Sequence, residues 1–142
     1  NKLTKHPILH FTYSKDELAY FNEPKIIMAH KMYGFPYVDK DGAYGISSRD
    51  NYVILNKPLI DMELIKEFLS TKLILFLFET TRYRMRYLEK YVFEYVPDFS
   101  NIPEAIDMYN NRNIDIYKLF NINKEEKEFI ERYYKIKYKF FE

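Results

Sequence analysis

The 142-residue sequence contains no cysteine, no tryptophan and only three glycines. Without cysteine the chain forms neither a disulfide framework nor a thiolate metal site, and a reducing compartment is favoured. Its longest apolar run, residues 73–78, has six residues, whereas a membrane helix needs about 20. No signal-peptide pattern is present. We therefore expect no membrane partner and an intracellular, cytoplasmic location.

Motifs of catalysis are also missing. The sequence has no nucleophile elbow, phosphate-binding glycine loop or dinucleotide turn. His6 and His10 have the spacing of a helical metal pair, but Pro7 disfavours a helix there. Three aspartates that could suggest an acidic metal cluster are interpreted as turn residues bonding their own backbone: Asp39, Asp41 and Asp50. We predict no catalytic residue and no metal site.

Charge is nearly balanced, with 22 basic and 21 acidic residues and a net charge of +1. This balance excludes a strongly basic tail, but it leaves room for local basic patches, because a partner experiences the local field.

The length fits one domain, spanning residues 1–142. Because the sequence begins with Asn1 and not with methionine, we expect it to be a piece of a longer protein.

Periodicity predicts an α+β fold with a small mixed sheet and hairpins in the N-terminal half. Ser14 and Glu17 have capping-box spacing, which predicts a short helix over residues 15–21. Asp41-Gly42 is typical of a type I′ hairpin turn, and Pro36 is typical of an edge or a turn. Strands are predicted at residues 25–28, 44–48 and 51–55.

The second half predicts a buried central helix and a helical C-terminal part. Apolar residues recur with helical spacing through residues 60–82, although 73–78 alone could also form a core strand. The predicted core residues are Leu64, Phe68, Leu73, Phe76 and Leu77. We expect a strand near residues 91–96, a loop after Pro97 and helices after residue 113. Asn123 and Glu126 have the spacing of a second capping box.

One segment, residues 30–48, contains all three glycines, with several tyrosines between them. Glycine permits positive φ and the close approach of another backbone. The segment therefore forms either demanding turns or a surface that a large partner approaches. Tyr33, Phe35 and Tyr44 fit a core role equally well.

Arginine alternates with bulky residues in TTRYRMRYLEK, which contains Arg82, Arg84 and Arg86. On an extended backbone this spacing places three guanidinium groups on one face, and arginine suits phosphates and guanine edges. The alternative is a solvated face paired with Glu79 and Glu89. A second basic and aromatic segment, residues 132–140, is typical of an amphipathic helix.

Three stretches resemble the C-terminal part of adenine-specific DNA methyltransferases fused to or paired with type II restriction enzymes. The first contains KIIM and DKDGAYG, the second LSTKL and YVPDFSNIP, and the third is IYKLFNINKEEKEFIE. In that family such a strand, a turn with a D..G.YG element, a helix with L-N-S-K-L and a short acidic-capped helix occur in this order. The resemblance covers residues 24–133.

The resemblance implies a target-recognition domain, the non-catalytic module that reads double-stranded DNA while a separate domain, in cis or in trans, transfers the methyl group. The family's Asn/Asp-Pro-Pro-Tyr/Phe motif and its methyl-donor motif are absent from this sequence. The chain alone is therefore expected to be no enzyme and to bind no cofactor, with S-adenosylmethionine expected only in the catalytic domain. LSTKL keeps the lysine, Lys72, but replaces Asn-Ser with Ser-Thr.

These observations predict a DNA-contacting set of nine residues, with phosphate contacts supplying affinity and base contacts supplying specificity. They are Arg82, Arg84, Arg86, Lys72, Tyr37, Tyr44, Ser47, Ser48 and Arg49. The alternative function is a protein-interaction module that docks through its aromatic C-terminal helix.

Overall fold

The computed structural model describes residues 11, 13, 15–30, 35–47, 50–82, 87–111 and 115–137. A small antiparallel sheet occupies the N-terminal half of this part of the chain, and helices follow it. The predicted α+β class, with its buried central helical region and helical C-terminal part, is confirmed.

Three strands form the sheet, with the first strand in its centre. The central strand pairs antiparallel on both sides, so that Ile27 lies opposite Tyr37 and also opposite Val53. Pro36 immediately precedes an edge strand, where its missing N–H group removes no hydrogen bond from the centre of the sheet. The strands predicted at 25–28 and 51–55 are confirmed. In spatial order the three strands of the sheet are β2 (Tyr37–Asp39), β1 (Lys25–Ala29) and β3 (Asn51–Ile54).

The helix predicted over residues 15–21 is wrong, because the described residues there form bends and turns. Tyr20 and Asn22 have φ values of 59° and 62°, which a right-handed helix excludes. The segment is held by tertiary pairing instead: the Ile46 N–H donates to the Ala19 carbonyl at 2.9 Å.

The hairpin predicted around Asp41-Gly42 is also wrong. Gly42 has a φ of 66°, but Asp41 has no positive φ, and a type I′ turn needs positive φ at both positions. The strand predicted at 44–48 is reduced, in the part that the structure describes, to one bridge at Ile46. The Gly42 carbonyl instead accepts a bond from the Asn22 N–H at 2.8 Å.

The central helical region is divided into α1 (Leu59–Leu69) and α2 (Lys72–Thr81), which confirms helix over residues 73–78. Ser70 and Thr71 cause the division. Their hydroxyls donate to carbonyls in the last turn of α1 at 2.7 and 2.8 Å, and the Thr71 hydroxyl also accepts the Ile74 N–H in the first turn of α2. Such side-chain bonds compete with a continuous helix.

The strand predicted at 91–96 is wrong, because residues Lys90–Tyr95 form a 3-10 helix. The ring of Phe93 packs edge-on against Tyr52 and Phe78, with ring centroids 5.8 and 5.7 Å apart. Packing of this aromatic side chain between the sheet and α2, and not ladder pairing, therefore holds the segment.

The loop predicted after Pro97 contains further helix. A short 3-10 turn (Phe99–Asn101) begins at Asp98, whose carboxylate accepts the Ser100 N–H. It leads into α3 (Pro103–Asn110), where proline occupies the first turn, a position in which its missing N–H group costs nothing.

The C-terminal helices are α4 (Ile116–Leu119) and α5 (Lys124–Lys137), as expected after residue 113. The predicted capping box is confirmed. The Asn123 N–H donates to the Glu126 carboxylate, and the Glu126 N–H donates to the Asn123 side-chain oxygen, both at 2.9 Å.

The core is centred on Phe68, whose ring stacks on Phe99 with centroids 4.2 Å apart and planes 4° from parallel. Phe68 and Leu64 are buried, as predicted. The other predicted core residues are half-buried and pack against this cluster: Leu73, Phe76 and Leu77.

Candidate nucleic-acid interface

A buried ion pair fixes the glycine-rich segment against the sheet. The Lys25 ammonium donates to Asp39 at 2.7 Å, and the two side chains are 0% and 2% exposed. The Asp39 carboxylate also accepts the N–H groups of Ala43 and Tyr44 at 2.9 and 3.0 Å. Burial disfavours the charged carboxylate, but these hydrogen bonds outweigh burial and lower the pKa of Asp39. The hydrogen bond from the Tyr44 N–H to Asp39 therefore fixes the position of the Tyr44 backbone.

Two predicted site residues, Tyr37 and Tyr44, lie side by side with ring centroids 6.0 Å apart. Burial, the neighbouring Tyr44 and the carboxylates of Asp39 and Asp41 raise the pKa of Tyr37. Both tyrosines line a cavity of about 570 Å³, which Glu63 also lines. Lys40 and Lys66, which pair with Glu63, line the cavity as well, so its wall carries charges of both signs.

His30, at the end of β1, connects three parts of the chain. Its N–H donates to the Asp50 carbonyl and its own carbonyl accepts the Leu88 N–H, both at 2.8 Å. Its ring stacks on Tyr87 with centroids 5.3 Å apart and meets the edge of Tyr52 at 5.4 Å. We call these five residues the His30 junction.

Four predicted DNA contacts lie outside the described residues: Ser48, Arg49, Arg84 and Arg86. In the sequence, Arg49 directly precedes Asp50 and Arg86 directly precedes Tyr87. Arg49 and Arg86, predicted as DNA contacts from separate parts of the sequence, are therefore each covalently attached to a residue of the His30 junction.

A groove of about 1230 Å³ begins beside the His30 junction. The predicted residue Ser47 lines it, together with Asn51 and Tyr52 from β3 and with Lys90 and Tyr91 from the 3-10 helix. Hydrogen bonds to backbone carbonyls hold both tyrosines, from Tyr52 to Leu88 and from Tyr91 to Thr81, each at 2.9 Å. The groove therefore combines two hydrogen-bonded tyrosines with the exposed Lys90, and the exposed Glu94 lines it as well.

Sequence reasoning missed His30, Tyr52, Tyr87 and Tyr91 as parts of one site. The aromatic composition of these segments was the available signal, but aromatic residues serve the core equally well. Lys57, which also lines the groove, forms an ion pair with Asp98. Hydrogen bonds from Lys57 and Ser100 lower the pKa of Asp98.

Arg82 is not part of the surface formed by the His30 junction and the groove beside it. Its side chain is 2% exposed, and its Nε donates at 2.7 Å to Glu79, whose side chain is 1% exposed. The expectation that three arginines present one common face therefore fails for Arg82 in this conformation. The i,i+3 spacing of Glu79 and Arg82 was the sequence signal for this pair.

Lys72 also has an internal partner. Its ammonium lies 2.6 Å from Glu131, whose other oxygen accepts the Tyr117 hydroxyl at 2.9 Å. Burial opposes ionisation of Glu131, but Lys72 and Tyr117 outweigh it and lower the pKa of Glu131. Burial and Glu131 together raise the pKa of Tyr117. Lys72, 38% exposed, thus ties α2 to α5.

Within the described residues, no group of three or more histidine, aspartate or glutamate side chains could hold a metal ion. In the same part of the chain, none of the helices is both long and apolar enough to cross a bilayer.

Comparison with known proteins identifies no relative. No protein-family model, no curated protein and no solved structure matches this chain.

Proposed function

We propose that this chain is the target-recognition domain of an N6-adenine DNA methyltransferase of a restriction-modification system. It binds double-stranded DNA sequence-specifically inside the cell, in the cytoplasm, and a catalytic domain in cis or in trans transfers the methyl group. The resemblance of residues 24–133 to such domains motivates the proposal.

The observation that carries the proposal is the His30 junction. It joins the end of β1, the start of β3 and the residues after α2 through two backbone hydrogen bonds of 2.8 Å. The chain on either side of these points supplies Arg49, Arg84 and Arg86. A hydrogen-bonded support next in sequence to Arg49 and Arg86 suits DNA reading, because base contacts need fixed positions whereas phosphate contacts supply affinity.

The burial of Arg82 changes the design of the experiment. Removing Arg82 would test folding and not DNA binding. The experiment therefore uses the double variant Arg84→Ala/Arg86→Ala. The preferred duplex is first selected from a random library, and the parent chain is then titrated with that duplex and with a scrambled duplex at several salt concentrations. We expect at least tenfold preference for the selected duplex.

The double variant should lose about tenfold or more in affinity if either arginine reads a base edge. If both arginines contact only phosphates, binding should weaken equally on both duplexes, and the slope of log K against log salt should fall by about two. Lys118→Ala/Lys124→Ala removes the same charge from exposed positions on α4 and α5 and is the matched control. If the parent and the double variant bind DNA with equal affinity, Arg84 and Arg86 do not contact DNA.

The proposal also predicts that the chain alone does not bind the methyl donor, since its sequence lacks the family's donor motif. Titration calorimetry with S-adenosylmethionine should give no saturable heat. Micromolar binding would assign the chain a catalytic role instead.

A further inference from the structure

The last helix, α5, packs one face against α2 and carries a charged stripe on the other. On the inner face, Phe76 packs edge-on against Phe129 and Tyr133, with centroids 5.8 and 5.3 Å apart. Ile130 is 4% exposed. The inward charge of Glu131 is matched by Lys72.

The outer stripe consists of four exposed charged residues: Glu125, Glu128, Arg132 and Lys135. At 100° per residue they lie within a sector of about 80° on the helix surface. Their order along the helix is acidic, acidic, basic, basic. We call them the charge stripe.

The helix dipole explains only part of this order. It favours Glu125 in the first turn and Lys135 in the last turn, but its effect fades within one turn of each end. Glu128 and Arg132 lie in the middle of the helix. Pairs within the helix account for part of the remainder, since Glu128 lies 3.9 Å from the exposed Lys124 and has i,i+4 spacing to Arg132, but neither the dipole nor these pairs match Glu125 with Lys135.

We propose that the charge stripe binds a second copy of this chain, with the two α5 helices antiparallel. Positions 125 and 135, and positions 128 and 132, are spaced equally about residue 130. A two-fold axis at the level of residue 130 therefore places Glu125 opposite Lys135 of the second copy, and Glu128 opposite its Arg132. A parallel arrangement places like charges together, so complementarity selects the antiparallel one.

Two exposed apolar side chains border the stripe. Phe129 is 50% and Ile136 is 72% exposed, and the Arg132 guanidinium lies over the Phe129 ring at 5.8 Å. A seven-residue spacing puts both side chains on the same edge of the helix. One short helix buries less area than a permanent dimer needs, and exposed ion pairs are individually weak. The dimer is therefore reversible and sensitive to salt.

The experiment is sedimentation equilibrium of the 142-residue chain without DNA, at concentrations spanning about two orders of magnitude. The parent chain should approach twice its mass of 17.5 kDa as its concentration rises. Glu125→Lys/Glu128→Lys and Arg132→Glu/Lys135→Glu should each raise the dimer dissociation constant at least tenfold. An equal mixture of the two variants should dimerise again, because their stripes then have opposite charge.

The quadruple variant, with all four charges exchanged, should form a homodimer in the antiparallel arrangement. Glu104→Lys/Asp107→Lys makes the same charge change on exposed positions of α3 and should dimerise like the parent. Circular dichroism verifies that each variant is folded. A parent chain that stays monomeric, a mixture that stays monomeric, or a control variant that also dissociates would overturn the proposal. None of these results depends on whether the chain binds DNA.

Discussion

The ammonium group of Lys25 lies 2.7 Å from the Asp39 carboxylate, where both side chains are almost completely removed from solvent. The two residues are direct partners in the register of β1 and β2. Lys25 also donates to the carbonyls of Tyr20 and Glu23 at 2.9 and 3.0 Å. One buried ammonium thus connects the segment before β1, the sheet and the glycine-rich segment.

Lys25→Met should destabilise the protein by about 3–5 kcal/mol, because it leaves the buried Asp39 charge without its cation. The double variant Lys25→Met/Asp39→Leu removes both charges and should cost less than the sum of the single changes. Urea unfolding of the parent, both single variants and the double variant measures the coupling free energy. Additive costs would mean that the pair does not stabilise the fold as a unit.

Stability should fall in acid. The pKa values of Asp39, Glu63, Asp98 and Glu131 are lowered in the folded chain. A lowered folded pKa means that the unfolded state binds more protons in acid, so the contribution is complete above about pH 5 and is lost as the pH falls through the folded value. The free energy of unfolding should therefore fall between about pH 5 and pH 3.

Asp39→Asn should flatten part of this pH dependence, since it removes one of the titrating carboxylates. Asp107→Asn, at an exposed position on α3, is the matched control and should leave the parent profile unchanged. A stability that stays constant down to pH 3 in the parent chain would contradict the stabilising role of these carboxylates.

Gly42→Ala should destabilise the fold by more than about 1 kcal/mol, because φ is positive there and no neighbour can move away easily. A Cβ atom at position 42 would lie 2.5 Å from backbone atoms of Asn22 and Glu23. Gly45→Ala is the comparison, since its Cβ would lie 2.3 Å from the Leu18 side chain. Leu18→Gly, which removes the Leu18 Cβ atom that would clash, should relieve the second substitution but not the first, and thermal unfolding of the single and double variants measures this.

Arg82→Ala should lower stability by about 3–5 kcal/mol, because it leaves the buried Glu79 carboxylate without its ion-pair partner. If Arg84 and Arg86 serve DNA binding and not folding, as proposed, Arg84→Ala/Arg86→Ala should leave the free energy of unfolding within about 0.5 kcal/mol of the parent value. Urea unfolding of the two proteins distinguishes these roles. An Arg82→Ala protein as stable as the parent would show that its ion pair is not needed for folding.

Local sequence signals predicted the parts of the fold that depend on neighbouring residues. Helical spacing in residues 60–82 and the capping box at Asn123 and Glu126 are properties of a few consecutive turns. Even there, the hydroxyls of Ser70 and Thr71 divided one expected helix into two. The same local reasoning failed at residues 91–96, where packing of Phe93 against Tyr52 and Phe78 replaced strand pairing.

The sequence by itself determined the fold class, the absence of a disulfide framework and the presence of clustered arginines, because composition and periodicity are contained in the chain. The tertiary structure alone decided that Arg82 is buried with Glu79, that Lys72 bonds Glu131, and that His30 joins Asp50 to Leu88. Whether a charged side chain faces solvent or a partner depends on which distant segments pack together. That choice is made by burial of apolar surface and by satisfaction of buried polar groups, which act between residues far apart in the chain.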